Sequence, residues 1–517
     1  MIDIRMIATA GLGDRSYLAT DGDVAVVIDP QRDIDRVLDL AADLGVTVAL
    51  VAETHIHNDY VTGGLDLAQR TGAAYLVNTA DEVAFERTPI SDGDEVGVGS
   101  MRLRAIATPG HTHHHLSYAL LDEPGTAQAV FTGGSMLYGT TGRTDLVSPE
   151  DTVELTHAQF HSVRRLVDEL PAKTTVYPTH GFGSFCASTP ASGADGSTVG
   201  QEATTNPALT QDEQDYVDTL IAGLGAFPTY YARMGPANAA GPAPVDLTAP
   251  EPVDPAELRH RLEAGQWVVD LRERTAFAAG HLPGSLGYEL ATPFVTYFGW
   301  TFDFDAELTL IGETPAQVAD AQRELVRIGV DRFAGAATGP IESLAAGQGL
   351  RSYPVSDFPG LAAMRAERGQ DAVFVVDARR DEERAAGGVE GSVHIPLHEL
   401  PARRDEVPDG EVWVYCGSGY RASIAASMLD RPGRDLVLIN DDWPHAADAG
   451  LPMTGQPAGP RGQQRGRERG VSSRRDSGCS SAPCWVWWGA AGASSPSRLW
   501  STGWGSRWLR RSRRRWW

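Results

Sequence analysis

Two histidines and an aspartate follow a short apolar run near the N-terminus. The run, Val46–Val51, predicts a buried strand, and His55, His57 and Asp59 lie on the loop at its end. Because alternate residues of an extended chain point to the same side, His55 and His57 can converge on one metal ion. Taken alone, the pattern is more typical of a polar loop that carries two incidental histidines.

Two further loops place a histidine directly after an apolar strand. The stretch Thr108-Pro-Gly-His-Thr112 carries His111, and Pro178-Thr-His-Gly181 carries His180. Three histidine loops in this order resemble the metallo-β-lactamase superfamily, whose αββα fold has two sheets sandwiched between helices. The resemblance implies a metal site. The residues that match its ligand pattern are His55, His57, Asp59, His111 and His180.

Two positions depart from the superfamily pattern. Tyr60 stands where the last histidine of the first motif is expected, and Gly134 stands where a bridging aspartate is expected. The missing histidine argues against a hydrolase with two metal ions, because the second ion loses a ligand. Persulfide dioxygenases of this superfamily use one Fe(II) held by two histidines and a carboxylate, so they tolerate that loss.

Carried over to this sequence, the single-iron ligand set comprises His55, His111 and position 134. Glycine has no ligand atom, so another side chain must complete the set, and Gly134→Asp is expected to tighten iron binding. Zn²⁺ is the alternative metal. The candidates for the missing ligand are His57, Asp59 and Asp145.

More histidines and a cysteine lie close to these motifs. Residues 113–115 are all histidine and are expected at the surface or behind the ligands rather than on the ion. Cys186 follows His180 closely, in Gly183-Ser-Phe-Cys186. We interpret Cys186 either as a relay for sulfane sulfur near the metal or as a small buried residue.

Strand and helix patterns alternate over residues 1–234 and favour the αββα fold that the resemblance implies. Apolar positions at helical spacing predict helices over residues 34–44, 149–170 and 210–224. Residues 235–253 are rich in Gly, Pro and Ala and predict a linker.

Beyond the linker the chain repeats itself. Val268-Val-Asp-Leu-Arg272 is echoed by Val375-Val-Asp-Ala-Arg379, and a loop with histidine and proline follows each copy. The repeat resembles the rhodanese domain. It assigns one α/β copy to residues 254–345 and a second to residues 355–454.

Only the second copy has the cysteine loop of that family. Gly312 and Gln317 stand in the first copy where Cys416 and Arg421 stand in the second. The first copy is therefore expected to be silent in sulfur transfer and to serve as a spacer or docking surface.

The cysteine loop is built for an anionic sulfur. A helix is predicted to begin near Arg421, shortly after Cys416. Loop N–H groups, the helix N-terminus and the Arg421 charge together favour a thiolate and then an anionic persulfide. Such a group accepts a sulfane sulfur atom and passes it on. The loop residues that would surround the persulfide are Gly417, Ser418, Gly419 and Tyr420.

Bulk composition excludes several classes of protein. The 517 residues carry a formal net charge of −24, which argues against nucleic acid as a partner. Four cysteines are too few for a disulfide scaffold, and no apolar run is long enough for stable membrane insertion. The N-terminus lacks the pattern of a signal peptide, so we expect a cytoplasmic protein. A homo-oligomer is compatible with the sequence.

The composition changes abruptly at residue 456. From there to residue 517 the chain is rich in Arg, Trp, Gly and Ser and shows no helical or strand period. We interpret this segment as a disordered extension or a frame-shifted reading. The alternative is a basic, aromatic tail that binds a membrane surface or nucleic acid.

The combination of domains resembles the bacterial multidomain persulfide dioxygenase–sulfurtransferases of sulfide detoxification. That resemblance implies oxidation of a low-molecular-weight thiol persulfide by O2 to sulfite at a mononuclear iron. It also implies that Cys416 passes sulfane sulfur on to yield thiosulfate. Two alternatives stay open: a thioester hydrolase of the glyoxalase II type with two metals, and a rhodanese sulfurtransferase with a vestigial metal domain.

Overall fold

Two six-stranded sheets face each other in the N-terminal part of the chain. The computed structural model describes residues 2–189 and 193–455, so the predicted tail, 456–517, lies outside the described residues. The strands of this part are β1 (Asp3–Thr9), β2 (Asp14–Thr20), β3 (Val24–Ile28), β4 (Thr47–Ala52), β5 (Ala74–Asn78), β6 (Thr88–Ile90), β7 (Glu95–Val98), β8 (Met101–Ala107), β9 (Leu116–Leu121), β10 (Ala127–Gly133), β11 (Met136–Leu137), β12 (Thr140–Thr141), β13 (Thr175–Pro178) and β14 (Ser197–Thr198).

Helices cover the outer face of each sheet. They are α1 (Asp35–Leu44), α2 (Gly64–Thr71), α3 (Thr152–Glu169), α4 (Val199–Thr205), α5 (Pro207–Thr210), α6 (Glu213–Gly223) and α7 (Tyr231–Ala240). The first sheet has the order β1-β2-β3-β4-β5-β6 and the second β14-β13-β10-β9-β8-β7. Tyr17, Tyr118 and Phe131 pack between the sheets, while α1 and α2 bury their apolar faces against the outside of the first. The predicted αββα fold is confirmed.

The predicted linker begins later than its composition indicated. Residues 235–240 belong to α7, although this helix contains Pro236. The helix is fixed by burial of Met234 and of Asn238. The Asn238 side chain donates to the carbonyls of His57 and Tyr60, both at 2.8 Å, and accepts from the Thr62 N–H at 2.9 Å. Part of the predicted linker therefore holds the first histidine loop in place.

Two parallel sheets follow. The first region contains α8 (Pro255–Glu263), β15 (Trp267–Asp270), α9 (Arg274–Ala279), β16 (Leu286–Gly287), α10 (Phe294–Thr301), β17 (Leu308–Gly312), α11 (Pro315–Val326), β18 (Phe333–Thr338) and α12 (Ile341–Ala345). The second contains β19 (Val355–Ser356), α13 (Phe358–Arg368), β20 (Phe374–Asp377), α14 (Asp381–Ala385), β21 (Gly388–Val389), β22 (Val393–His394), α15 (Leu400–Arg403), a 3₁₀ turn (Arg404–Glu406), β23 (Gly410–Tyr415), α16 (Tyr420–Leu429), β24 (Arg434–Ile439), α17 (Pro444–Asp448) and β25 (Met453–Thr454).

These two regions share a strand order. The first sheet runs β16-β15-β17-β18, and the second runs β22-β20-β23-β24 with β19 added at its edge. Asp270 and Arg272 form a buried ion pair at 2.7 Å, and Asp377 and Arg379 form the same pair at the same distance. The assignment of the first region as a rhodanese copy stays a prediction, and the shared order and ion pair support it.

A buried ion-pair cluster joins the first region to the αββα part. Asp33, fully buried, pairs with Arg327 of the first region at 2.7 Å and with Arg323 at 3.3 Å. The Val61 N–H donates to the Arg327 carbonyl at 2.7 Å. This contact reaches the loop that carries the first histidines, so docking of the two regions also constrains the candidate site.

None of the helices within the described residues combines the length and apolarity that a membrane crossing requires.

Candidate metal centre and sulfurtransferase loop

Four buried histidines meet where strands of both sheets end. His55 and His57 follow β4, His111 follows β8 and His180 follows β13. The Nε2 atoms of His55 and His180 are 3.4 Å apart, and the rings of His55 and His111 have centroids 4.8 Å apart. The structure therefore brings together the four histidines that the sequence singled out.

In two of these rings, one nitrogen makes a hydrogen bond and the other nitrogen has no hydrogen-bond partner among the described residues. Nδ1 of His111 donates to the Arg143 carbonyl at 2.7 Å, and its buried Nε2 has no hydrogen-bond partner among the described residues. His57 is held through Nε2, 3.0 Å from the Tyr60 hydroxyl, and its Nδ1 lacks a partner there. Metal-binding histidines are commonly oriented in this way. The donor set therefore fits a transition-metal ion.

Two buried carboxylates hold His180. Its Nδ1 lies 2.9 Å from Asp14 and 3.1 Å from Asp59. Burial lowers the pKa of His180, but the Asp59 and Asp14 carboxylates outweigh it and raise that pKa well above its ordinary value. Burial raises the pKa of Asp14 to about 8, whereas His180 holds the pKa of Asp59 below its usual range against the effect of burial. The Asp59 carboxylate is thus the charged partner that holds His180 in place.

The rings of His55 and His111 are held in the neutral form. Burial and the neighbouring His180 ring lower the pKa of His111 to about 3. Burial and the other imidazoles place the pKa of His55 well below its ordinary value. Neutral imidazole is the form that binds a metal.

Tyr60 takes a structural role in place of the missing histidine. Its hydroxyl lies 3.0 Å from His57 Nε2 and donates to the Asp29 carbonyl at 3.3 Å. Asp29 and Glu53 lie 3.2 and 3.3 Å from the same His57 nitrogen. Although burial opposes it, these carboxylates raise the pKa of His57 to about 9.

The space beside Gly134 is filled by His111. A Cβ atom at position 134 would lie 2.2 Å from His111 Cδ2, closer than such atoms approach. Gly142 confines the ring from the other side, since a Cβ there would lie 2.8 Å from its Nδ1. The geometry argues against the expectation that Gly134→Asp tightens metal binding, because an aspartate at position 134 requires the His111 ring to move.

The other proposed ligands and the histidine run are placed as follows. Asp145 pairs with the Arg143 guanidinium at 2.6 Å and is engaged away from the four rings. His113 and His114 are exposed and pair with surface aspartates. His115 is buried behind His55 at a centroid distance of 5.0 Å, and its Nε2 accepts from the Gly134 N–H.

Cys186 lies beside the histidine cluster. It is buried, and its sulfur and one ring nitrogen from each of His111 and His180 all lie within 4.8 Å of one another. Burial raises the pKa of its thiol well above the ordinary value, and the Asp59 charge adds to that effect.

Cys416 lies at the end of β23, in a loop that leads into α16. The cysteine is 1% exposed, and the opening of the loop is at Ser418, which is exposed. Gly419 has φ +84°, and a Cβ there would lie 2.2 Å from the Asn440 amide oxygen, so only glycine fits. The Tyr420 hydroxyl donates to the Glu289 carbonyl of the first region at 2.7 Å. The predicted loop and its following helix are therefore present.

Arg421 is paired rather than free. Its guanidinium forms two hydrogen bonds with the Glu383 carboxylate, one of them at 2.8 Å. Burial raises the pKa of Glu383, but Arg421 outweighs it and lowers that pKa to about 2. The sequence revealed Arg421 but gave no signal for Glu383, which is distant in the chain and reaches the loop from α14.

The equivalent loop of the first region is closed by a side chain. Asp270 pairs with Ile311 across its sheet as Asp377 pairs with Tyr415, so Gly312 occupies the position of Cys416. The Gln317 amide donates to the Leu271 carbonyl at 3.0 Å and accepts from the Glu313 N–H at 2.7 Å. This loop has no cysteine.

A cavity of about 340 Å³ lies between the αββα part and the second region. Its walls include Ser184 and Phe185 from the loop that carries Cys186, with Arg380 and Glu382 opposite. No pattern in the sequence indicates this cavity, because its two walls come from distant segments of the chain.

Comparisons with known proteins cover both parts of the chain. Residues 361–444 match the family model for the rhodanese-like domain. A probable polyketide biosynthesis zinc-dependent hydrolase of Bacillus velezensis is 32% identical over 165 residues, 31% of this chain and 68% of that protein. Human mitochondrial persulfide dioxygenase ETHE1 is 29% identical over 211 residues, 40% of this chain and 74% of that protein.

A solved structure extends the likeness. A metallo-β-lactamase from Staphylococcus aureus has a TM-score of 0.59 and 28% identity, and the match covers 66% of this chain and 99% of that one. The matched part of this chain is therefore longer than residues 1–234. With its histidine centre and its cysteine loop, the chain belongs to the metallo-β-lactamase-fold enzymes that include the persulfide dioxygenases, and it carries a rhodanese domain in its C-terminal part.

Proposed function

We propose that the chain oxidises a low-molecular-weight thiol persulfide with O2 at a mononuclear Fe(II) centre and transfers sulfane sulfur through Cys416. The unpartnered, buried Nε2 of His111 carries this proposal. It lies among three other histidines, in the same chain as the Cys416 loop. Zn²⁺ is the alternative ion, and the substrates belong to the persulfide and thiosulfate class.

His55, His57, His111 and His180 supply the ring nitrogens that would hold the ion. The reaction converts a thiol persulfide, O2 and water into a thiol, sulfite and two protons. Bound Fe(II) supplies the redox chemistry with O2 that amino-acid side chains lack. His57 keeps its Nδ1 turned inward because Tyr60, Asp29 and Glu53 hold its Nε2. Because residue 60 is a tyrosine that contacts His57, this position supplies no histidine ligand for a second ion.

Sulfur transfer proceeds at Cys416. Its thiolate attacks the outer sulfur of the donor, the sulfur–sulfur bond of the donor breaks, and the donor leaves with the bonding electron pair. Sulfite then attacks the outer sulfur of the Cys416 persulfide and leaves as thiosulfate, which restores the thiolate. Loop N–H groups and the N-terminus of α16 stabilise the anion.

The first region, residues 254–345, serves as a silent copy. Gly312 replaces the nucleophile, and the Gln317 amide fills the loop in which a persulfide would lie. The Tyr420–Glu289 hydrogen bond supports a role in docking the active copy.

Two other functions compete with this one. A thioester hydrolase of the glyoxalase II type requires two metal ions, and a sulfurtransferase with a vestigial metal domain requires none. Anaerobic purification followed by elemental analysis separates the three, since they predict one iron, two zinc or no metal per chain.

Activity measurements complete that test. Iron-loaded protein should consume O2 on addition of a thiol persulfide and release sulfite, and His111→Ala should lose both iron and O2 uptake. His113→Ala, at an exposed histidine of the same loop, is the matched control and should keep both. Substoichiometric iron after loading, with no O2 uptake, would contradict the dioxygenase and leave the sulfurtransferase.

A further inference from the structure

The metal centre lacks an anionic ligand at the expected position. Sets of two histidines and one carboxylate use the negative charge to offset the cation. Position 134 is glycine, and His111 occupies the space that its side chain would need. An anionic side chain elsewhere in the centre would supply that charge.

The sulfur of Cys186 lies where such a ligand is needed. It forms a group with one nitrogen each of His111 and His180 in which all three atoms lie within 4.8 Å of one another. The backbone on both sides of the sulfur is fixed, because the Arg143 N–H donates to the Cys186 carbonyl at 2.8 Å and the Cys186 N–H donates to Ser184 Oγ at 3.1 Å.

The two imidazoles of this group are oriented for an ion. His111 Nδ1 is bonded to the Arg143 carbonyl, and the fully buried Nε2 has no partner among the described residues. His180 is held through Nδ1 by Asp14 and Asp59, so its Nε2 is the nitrogen that faces His55. The unpartnered nitrogen of His111 is an observation independent of the cysteine, and it too indicates a ligand.

We propose that Cys186 is a thiolate ligand of the metal ion, beside His111 and His180, and that it supplies the negative charge missing at position 134. A divalent ion deprotonates a coordinating thiol outright. Thiolate and imidazole together suit a transition ion such as Zn²⁺, Co²⁺ or Fe(II) rather than Mg²⁺ or Ca²⁺. The inference rests on the proposed function only in that both concern an ion at this centre.

Asp59 is the rival for this role. Its Oδ1 is buried and lacks a partner among the described residues, while its Oδ2 lies 3.1 Å from His180 Nδ1. Oδ2 of Asp59 holds Nδ1 of His180, so Asp59 lies behind that ring, whereas the Cys186 sulfur lies within 4.8 Å of one ring nitrogen of His111 as well as one of His180. The geometry thus favours the sulfur as the ligand.

The test uses the full chain with one cysteine. The chain has four cysteines, so a variant with Cys416, Cys479 and Cys484 changed to serine leaves Cys186 as the sole thiol. Loaded anaerobically with Co²⁺ alone, this variant should show a near-ultraviolet sulfur-to-cobalt charge-transfer band that saturates at one ion per chain. Adding Cys186→Ser should remove the band and weaken Co²⁺ binding at least tenfold.

A second measurement needs no substitution at Cys186. X-ray absorption of the zinc-loaded single-cysteine variant should show one sulfur neighbour at about 2.3 Å, the usual zinc–sulfur distance. An ion bound at full occupancy with no sulfur neighbour and no charge-transfer band would overturn the thiolate ligand and leave the proposed function standing. Failure of the protein to bind any ion would overturn both.

Discussion

A Cβ atom at position 134 would lie 2.2 Å from Cδ2 of His111, so the histidine ring fills the space that any larger side chain at position 134 would need. We expect Gly134→Asp to displace His111 and to lower metal content by at least tenfold, because the ring is also confined by Gly142. Elemental analysis after loading measures this. Gly196→Asp adds the same charge at an exposed position with open space and should keep full occupancy. Tighter binding in Gly134→Asp would show that the ring can relocate.

Removal of the Cys416 sulfur should separate the two activities. Cys416→Ser is expected to abolish thiosulfate:cyanide sulfur transfer, because serine does not form a persulfide, and to leave persulfide-dependent O2 uptake largely in place. The two centres lie on separate sheets, which is the reason for the second expectation. Sulfur transfer that survives Cys416→Ser would move the chemistry to another thiol, with Cys186 the first to examine.

The Glu383–Arg421 pair should set the reactivity of the cysteine loop. Glu383→Gln removes the carboxylate that neutralises the Arg421 guanidinium, so Cys416 should react several-fold faster with a small alkylating agent at neutral pH. Arg421→Ala should instead slow both alkylation and sulfur transfer. Glu382→Gln, at the preceding residue of α14, is the matched control. Equal rates in all variants would show that the loop N–H groups alone govern the sulfur.

Asn238 is expected to stabilise the first histidine loop from α7. Asn238→Ala leaves buried carbonyls of His57 and Tyr60 and the Thr62 N–H without partners, and each such loss costs about 1–3 kcal/mol. We expect a lower free energy of unfolding, measured by denaturant titration, together with weaker metal binding. Asn78→Ala removes an exposed bond to the His114 carbonyl and should change stability little. An unchanged metal affinity in Asn238→Ala would show that the loop holds its shape without α7.

The buried ion pair between Asp33 and Arg327 should make the free energy of unfolding depend on pH. Burial raises the pKa of Asp33, but Arg327 and Arg36 outweigh burial and hold it below the ordinary value. A carboxylate with a depressed folded pKa contributes stability that is present above its unfolded pKa, about 3.9, and is lost as pH falls through the folded pKa.

Asp33→Asn therefore should lower the free energy of unfolding by about 3–5 kcal/mol at pH 7, and by less at pH 3. Denaturant titrations at the two pH values measure this difference. Asp3→Asn, in an exposed pair with Arg5, should stay within about 0.5 kcal/mol of the parent protein. A constant effect of Asp33→Asn between the two pH values would contradict the assignment.

The local patterns of the sequence predicted the elements well, because those patterns depend on near neighbours. The helix predicted at 34–44 is observed at Asp35–Leu44, and the strand before His55 is observed at Thr47–Ala52. The linker prediction was wrong over residues 235–240, because their composition concealed a helix. That helix is fixed by hydrogen bonds between Asn238 and residues distant in the sequence. Tertiary contacts, rather than local composition, determine the structure of that segment.

The sequence predicted which histidines come together in the candidate site, but not the contacts that hold them. Asp14 and Asp29 hold the imidazoles of His180 and His57 from behind, yet no spacing in the sequence connects these aspartates to the histidine loops. The displacement of a side chain at position 134 by His111 likewise depends on how two strands approach each other. These relations exist only after folding.

The near-complete burial of Cys416 has a consequence for the sulfur it carries. Tyr297 of the first region lies over the loop, with the Arg421 guanidinium 5.8 Å from its ring centroid, and Tyr420 is bonded to Glu289 of the same region. A persulfide formed there is sheltered from bulky oxidants and reductants. We therefore expect the lifetime of such a persulfide to depend on how often the first and second regions separate at this contact.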